Sequence, residues 1–190
     1  MGNLFKFLKT AFIDYRHVAA IAPSSKYVVG KILKELKTKT EIRNVVEYGP
    51  GDGVITKEIL KILPPEGRLF VIEINSEFVK FLKETVKDSR LKIIEDDVFS
   101  FITEKNFFSG DKVDIIVSGI PLSYFSEEKR EKLIYFSAKL LNDEGIFIVY
   151  QNSLIMLKTI RKFFQSVNWK IEFKNISGPI FIITARSPRK

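Results

Sequence analysis

The chain has 190 residues, of which 45% are hydrophobic, and a formal net charge of +8. This composition favours one globular domain and excludes a disordered chain, while the absence of cysteine and the single histidine exclude disulfides and argue against a metal site. The positive charge favours an anionic partner, either nucleic acid or an anionic membrane surface; a lysine-rich surface that only serves solubility is the alternative.

We expect residues 1–40 to form an N-terminal helical segment and residues 41–190 the main domain, within one compact unit. A helix over residues 3–16 would carry a row of apolar side chains, namely Leu4, Phe5, Leu8, Ala11, Phe12 and Tyr15. Such a helix suits the plane of an anionic bilayer, or it packs on its own domain. Because Lys6 and Lys9 interrupt the apolar residues and no stretch reaches the length of a membrane span, we expect a cytoplasmic protein.

After this segment, strand and helix patterns alternate along the chain. The predicted strands are 43–48, 68–74, 91–95, 112–118, 145–150, 168–174 and 179–186. The predicted helices are 54–62, 76–87, 98–104, 126–141 and 153–165, and turns are expected at 64–67 and 142–145. This alternation is typical of a parallel α/β sheet covered by helices on both faces, and the last two strands, with no helix between them, form an antiparallel pair.

The first strand ends in a glycine-rich turn, with Gly49, Gly51 and Gly53 spaced two apart after Glu47. Glycine can adopt a positive φ and lets a ligand approach the backbone, while the start of the next helix presents unpaired N–H groups. Val54 stands where a dinucleotide motif needs its third glycine, and no phosphate-loop pattern is present. The turn therefore predicts a nucleotide-like cofactor; a glycine turn without a ligand is the alternative.

Acidic residues follow the next two strands. Glu73 closes the second strand at a spacing suited to a ribose diol, and Ile74 beside it can pack on an adenine face. The alternative for Glu73 is an exposed carboxylate at a strand end. The third strand runs into Glu95, Asp96 and Asp97, and one of these aspartates is also suited to cap the helix that begins near Val98.

Glu47 with the three glycines resembles the first motif of class I S-adenosylmethionine (SAM) dependent methyltransferases. The resemblance implies a Rossmann-like fold with a seven-stranded, mostly parallel sheet, one antiparallel strand, helices on both faces and additional N-terminal helices. It also implies SAM as cofactor, no metal, and a binding site that the family places on residues matching Glu47, Gly49, Gly51, Gly53, Glu73, Ile74, Asp97 and Val98. Asp97 would accept a hydrogen bond from the adenine amino group, with Asp96 as the alternative.

The fourth strand leads into Ser118-Gly119-Ile120-Pro121-Leu122, where this family places the methyl acceptor. Amino-adenine methyltransferases carry an Asn or Asp before the proline and an aromatic residue after it, which bind and stack a flipped base. Gly119 and Leu122 stand at those two positions. Tyr124 offers an aromatic surface two residues further on, so the nucleic-acid hypothesis is weakened and not removed.

The Ser-Gly-Ile-Pro-Leu sequence is similar instead to bacterial phospholipid N-methyltransferases, as are Pro23-Ser24-Ser25 and Gly49-Pro50-Gly51. The segment 175–179 departs from that family because it lacks paired prolines. The resemblance implies methylation of a phosphatidylethanolamine-like amine on the inner face of the membrane, with Ser118, Gly119, Pro121 and Tyr124 as the catalytic residues. The alternatives are adenine N6-dimethylation of ribosomal RNA and a non-catalytic module that binds RNA or membrane.

The single histidine and three tyrosines are further candidates for binding or catalysis. His17, the only imidazole, lies near Pro23-Ser24-Ser25 and is not expected to be catalytic, since a lone histidine is more often a polar surface group. Tyr15, Tyr27 and Tyr124 could hold a methylated ammonium by cation–π contact, or they could be core aromatics.

Overall fold

A computed structural model describes residues 25–104, 112–175 and 178–189. The predicted amphipathic helix over residues 3–16, Tyr15 and His17 lie outside the described residues. The helices are α1 (Lys26–Leu36), α2 (Val54–Ile62), α3 (Ser76–Thr85), α4 (Val98–Glu104), α5 (Glu127–Leu140) and α6 (Leu157–Phe163). The strands are β1 (Asn44–Tyr48), β2 (Arg68–Glu73), β3 (Leu91–Glu95), β4 (Val113–Ser118), β5 (Leu141–Gln151), β6 (Phe164–Glu172) and β7 (Ile180–Pro188).

The seven strands form one sheet in the order β3-β2-β1-β4-β5-β7-β6. Strands β1 to β5 pair in parallel, whereas β7 is antiparallel to both β5 and β6. The predicted Rossmann-like fold with one antiparallel strand is therefore confirmed. Because the strand order reverses between β1 and β4, the carboxyl ends of these two strands flank the crevice in which open α/β sheets bind ligands.

The helices cover both faces of the sheet. On one face, β-strand residues such as Val45 and Val117 pack with α1, α2 and α3 through Ile32, Ile59 and Leu82. On the other face, alternate strand residues pack with α4, α5 and α6, including Val46, Ile116, Phe101, Leu133 and Ile160. Strands buried on both faces read as continuous apolar runs, which is why the parallel strands were predictable from sequence. No helix within the described residues combines the length and the apolar character needed to cross a bilayer.

The predicted boundaries differ most from the structure in three places. The predicted turn at 142–145 lies inside β5 as an irregularity, since Val113 pairs with Leu141 but Ile115 pairs with Ile146. Strand β6 begins at Phe164, not at residue 168, because Phe164 pairs with Pro188 in the edge ladder. Helix α6 begins at Leu157, not at residue 153, because the chain turns first through a hydrogen bond from the Ile155 N–H to the Ser153 Oγ.

Candidate active site

All three glycines of the turn after β1 have a positive φ, of +67°, +56° and +76°. Two of them also lie close to neighbouring side chains. A Cβ on Gly53 would collide with the Leu82 side chain, and a Cβ on Gly49 would lie 3.1 Å from the Ile120 Cγ1. Nothing lies within 4 Å of a Cβ on Gly51, so the middle glycine borders open space where a ligand can contact its backbone.

Glu47 lies fully buried beneath this turn. Its Oε2 accepts a hydrogen bond of 2.6 Å from the Thr56 hydroxyl, and its Oε1 has no hydrogen-bond partner among the described residues. Burial raises the pKa of the Glu47 carboxyl to about 8, the Thr56 bond opposes this rise, and the charges of Glu73 and Asp52 add to it. A buried carboxylate with one unsatisfied oxygen is costly, so a cationic or N–H-bearing ligand nearby would stabilise its ionised form.

Glu73 at the end of β2 is 3% exposed, so the alternative of an exposed strand-end carboxylate does not hold. Its Oε2 accepts from the Gly51 N–H at 3.2 Å and its Oε1 from the Asn75 N–H at 2.9 Å. Burial raises the pKa of Glu73, and the backbone hydrogen bonds oppose that rise. The carboxylate therefore joins the glycine turn to the end of β2, and the next side chain, Ile74, is exposed beside it.

The two aspartates that follow β3 make different hydrogen bonds. The Asp97 Oδ1 accepts from the Phe99 N–H at 2.8 Å and so caps α4, as one of the two sequence hypotheses proposed. The Asp96 Oδ1 accepts from the Asp97 N–H, and the Asp96 N–H donates to the Glu73 carbonyl oxygen at 3.1 Å. The cluster thus lies directly against the end of β2, while Val98 is nearly buried in the core.

The predicted acceptor segment contacts the glycine turn. The Gly119 N–H donates to the Tyr48 carbonyl oxygen at 2.9 Å, and a Cβ on Gly119 would lie 3.0 Å from the Gly49 carbonyl oxygen. Ser118 is fully buried, and its Oγ has no hydrogen-bond partner among the described residues. The structure therefore brings the segments predicted to hold the cofactor and the acceptor into direct contact.

Tyr150, which sequence reasoning missed, lies against Gly119. A Cβ built on Gly119 would collide with the Tyr150 hydroxyl and lie 2.9 Å from its Cζ. Ser118 pairs with Val149, so Tyr150 stands one residue beyond it at the carboxyl end of β5. A search for polar aromatics at strand ends would have flagged Tyr150, but not its contact with residue 119.

The remaining residues of the predicted methyl-acceptor segment differ in their exposure to solvent. Pro121 is exposed, and its carbonyl oxygen accepts from the Tyr124 N–H at 3.1 Å in the single turn of 3₁₀ helix Leu122–Tyr124. Leu122 is fully buried in the core, whereas Tyr124 is exposed. The segment thus exposes Pro121 and Tyr124 and buries Leu122 in the core.

The chemistry of these residues fits SAM. The Glu73 carboxylate contacts a turn that has open backbone at Gly51, and Glu47 lies buried near the end of β1, the strand that leads into this turn. Acidic groups beside an open glycine backbone complement a ligand that bears an ammonium, a sulfonium and a ribose diol. Within the described residues there is no group of three His, Asp or Glu side chains placed to bind a metal ion. The site is therefore suited to group transfer from a cationic cofactor.

Comparison with known proteins agrees with this geometry. The family model for ribosomal RNA adenine dimethylase matches residues 24–169. An ornithine lipid N-methyltransferase of Singulisphaera acidiphila is 27% identical over 93% of this chain and 92% of its own length. A ribosomal RNA small subunit methyltransferase A of Malacoplasma penetrans is 32% identical over 65% of this chain and 41% of its own length.

A solved structure shares the fold. The N-methyltransferase NodS of Bradyrhizobium japonicum superposes with a TM-score of 0.69 over 85% of this chain and 94% of its own, at 16% identity. NodS has also been solved in complex with S-adenosyl-l-homocysteine, with the same TM-score. The chain thus belongs to the ribosomal RNA adenine dimethylase family and is a class I methyltransferase that uses SAM as its cofactor.

Proposed function

We propose that this enzyme methylates the amine head group of a membrane lipid, either phosphatidylethanolamine or an ornithine lipid, at the inner face of the membrane. The observation that carries the proposal is the contact between Gly119 and Tyr150. The space that an Asn or Asp side chain needs to bind an adenine amino group is filled here by a phenol from the neighbouring strand.

The residue after Pro121 also argues against adenine as the acceptor. An adenine methyltransferase needs an aromatic side chain there to stack on the flipped base. Leu122 has no ring and is fully buried among core residues, so it presents no surface to a base. Changing it to an aromatic residue would overfill a packed core.

The relatives support the lipid over the RNA. The chain aligns with the ornithine lipid N-methyltransferase over nearly the whole of both proteins, whereas it spans only 41% of the Malacoplasma ribosomal RNA enzyme. Ribosomal RNA remains the second candidate, because the family model carries that description and the net charge of +8 suits a polyanion.

The residues that would hold the cofactor lie on three loops. The backbone of Gly49, Gly51 and Gly53 would receive the amino-acid half of SAM, with the unsatisfied Glu47 Oε1 below it. Glu73 would bind the ribose hydroxyls, Ile74 would cover one adenine face beside Val98, and Asp97 would accept from the adenine amino group. When bound, SAM supplies a methyl group made electrophilic by its sulfonium.

The residues around the acceptor would position a neutral amine. The Tyr150 hydroxyl would accept one amine N–H and so aim the nitrogen lone pair toward the cofactor, a positioning effect that needs no covalent intermediate. The Gly119 carbonyl and the buried Ser118 hydroxyl would border the transferred methyl. Pro121 stiffens the turn, and the exposed Tyr124 ring would receive the methylated ammonium product by a cation–π contact.

The direct test incubates the purified protein and SAM with vesicles that contain phosphatidylethanolamine, with vesicles that contain an ornithine lipid, or with ribosomal RNA. Mass spectrometry of each acceptor reports added methyl groups. We expect methylated lipid and unmodified RNA. Methylated adenine with unmodified lipid would replace the proposal by the second candidate, and SAM binding without any product would favour a non-catalytic binding module.

A further inference from the structure

Exposed apolar side chains gather at the edge of the sheet that carries the active site. Eight large hydrophobic side chains are exposed among the described residues. Ile74 and Phe173 directly follow β2 and β6, and Tyr124 and Ile155 lie in the segments after β4 and β5. Tyr27, near the start of α1, joins them through its contact with Lys174. The other three, Phe81, Tyr135 and Trp169, lie on α3, on α5 and within β6.

Three segments of this edge form one connected surface, which we call the rim: residues 25–27, 152–158 and 173–179, without 176 and 177. The Ser25 N–H donates to the Asn175 Oδ1 at 3.4 Å, and the Asn175 Nδ2 donates to the Gly178 carbonyl oxygen at 3.3 Å. The Asn152 Nδ2 donates to the Pro179 carbonyl oxygen at 3.1 Å. These bonds join the start of α1, the loop after β5 and the loop after β6.

The rim is apolar and positively charged. Phe173 is 69% exposed, and Tyr27 and Ile155 are exposed on the other two segments of the rim. Its charged residues are Lys26, Lys158 and Lys174, and none of the described rim residues is acidic. The adjacent Glu172 is buried and paired with Lys31 at 3.0 Å, so it contributes little negative potential.

We propose that the rim docks on an anionic lipid bilayer and so brings the active-site crevice to the head groups. Aromatic and aliphatic side chains flanked by lysines are the composition of membrane-interfacial surfaces, where apolar burial and attraction to anionic lipids add. The inference deepens the proposed function and rests on it for the lipid that is brought to the site.

The arrangement of Tyr27 favours a bilayer over RNA. The ammonium groups of Lys26 and Lys174 lie 5.4 and 5.0 Å from the centroid of its ring. A base stacking on that ring would displace these cations, whereas at a bilayer the ring sits at head-group depth and the lysines reach the phosphates. Ile155 offers apolar area but no surface for base stacking.

The chain that precedes the rim supports the same partner. Residues 1–24 join the described structure at Ser25, inside the rim, and their sequence carries the pattern of apolar residues and lysines described above. A bilayer in contact with the rim would therefore also be within reach of this segment.

The test measures binding of the full chain to vesicles by co-sedimentation, with anionic phosphatidylglycerol vesicles and zwitterionic phosphatidylcholine vesicles in parallel. We expect the double variant I155S/F173S to bind anionic vesicles at least about tenfold more weakly than the unsubstituted chain. The control is Phe81→Ser on α3, which removes a 41% exposed phenylalanine outside the rim and should bind normally. Unchanged SAM affinity and melting temperature establish that each variant is folded.

The charge is tested with the double variant K26Q/K174Q. Binding to anionic vesicles should fall about fivefold for each lysine removed, while binding to zwitterionic vesicles stays the same. The surface assignment is overturned if I155S/F173S binds like the unsubstituted chain, or if deletion of residues 1–16 alone abolishes binding while the rim variants retain it. It is also overturned if the rim variants lose ribosomal RNA binding but keep vesicle binding.

The same variants test the docking surface and the proposed substrate independently. If the unsubstituted chain docks through the rim and methylates no lipid, the surface stands and the proposed substrate fails. If it methylates lipid dispersed in detergent micelles and I155S/F173S binds vesicles normally, the substrate stands and the surface fails.

Discussion

The Tyr150 hydroxyl occupies the space in which a side chain at Gly119 would lie. Gly119 directly follows β4 and Tyr150 lies in the neighbouring β5. Each limits the other, because any Cβ at position 119 would meet the phenol. Under the proposed function, the acceptor side of the crevice would receive its polar group from β5 and not from the end of β4. An adenine methyltransferase differs, because there the Asn or Asp side chain before the proline supplies the polar group.

Tyr150→Phe tests whether this hydroxyl binds the acceptor. We expect kcat/KM for the lipid amine to fall about tenfold, the effect of one lost hydrogen bond in a site shielded from water, with SAM affinity unchanged. Tyr135→Phe, on the exposed face of α5, is the matched control and should keep full activity. Steady-state kinetics on lipid micelles measures both variants, and equal kcat/KM values for them would remove Tyr150 from the acceptor site.

Gly51→Ala should weaken SAM binding more than it weakens the fold. Its φ of +56° makes alanine strained by about 1–2 kcal/mol, and the new methyl group would project into the open space beside the turn. We expect SAM affinity, measured by calorimetry, to fall at least about tenfold. Gly30→Ala in α1, where a Cβ also has open space, should instead stabilise the protein by about 0.5–1 kcal/mol and leave SAM affinity unchanged. Equal SAM affinities for the two variants would place the cofactor elsewhere.

Glu47 makes the stability of the free protein depend on pH. Burial raises its pKa in the folded protein to about 8, above the ordinary value of 4.5. Its protonated form is therefore favoured by folding, and this contribution is fully present below pH 4.5 and is lost as the pH rises through 8. The slope is at most about 1.4 kcal/mol per pH unit. Denaturant unfolding from pH 5 to pH 8.5 should show a smaller loss of stability for Glu47→Gln; identical profiles would contradict the assignment.

Asp97→Ala should reduce SAM affinity by about 1–3 kcal/mol through the lost hydrogen-bond partner. Because Asp97 also caps α4, the variant should melt at a lower temperature as well. Asp97→Ser keeps a capping oxygen but is too short to reach the ligand, so its melting temperature should recover while SAM affinity does not. If Asp96→Ala weakens SAM binding and Asp97→Ala does not, the adenine contact belongs to Asp96.

The parts of the site that follow from local sequence were predictable, and the parts made by contacts between strands were not. The glycine turn could be predicted because its φ values are a property of the glycines themselves, and Glu73 because it ends a strand at a suitable spacing. The unsatisfied oxygens of Glu47 and Ser118 and the contact of Tyr150 with Gly119 depend on how β1, β4 and β5 pair. Strand pairing joins residues far apart in the chain, and no local pattern encodes it.

The edge strand shows the same limit in the fold. Most side chains of β6 are exposed or only half buried, so the strand lacks the continuous apolar run that identifies the central strands. Its first residues were predicted as the end of the preceding helix, because Phe163 and Phe164 fit a helical apolar row equally well. The pairing of Phe164 with Pro188 decides the boundary.

The most direct measurement offers both acceptors to the enzyme in one reaction. Full-length protein, SAM with a labelled methyl group, ribosomal RNA and vesicles containing ethanolamine and ornithine lipids are incubated together, and the label is counted in the separated lipid and RNA fractions. We expect label in the lipid amine and none in RNA. Label in the adenines of the RNA, with unlabelled lipid, would contradict the proposed function.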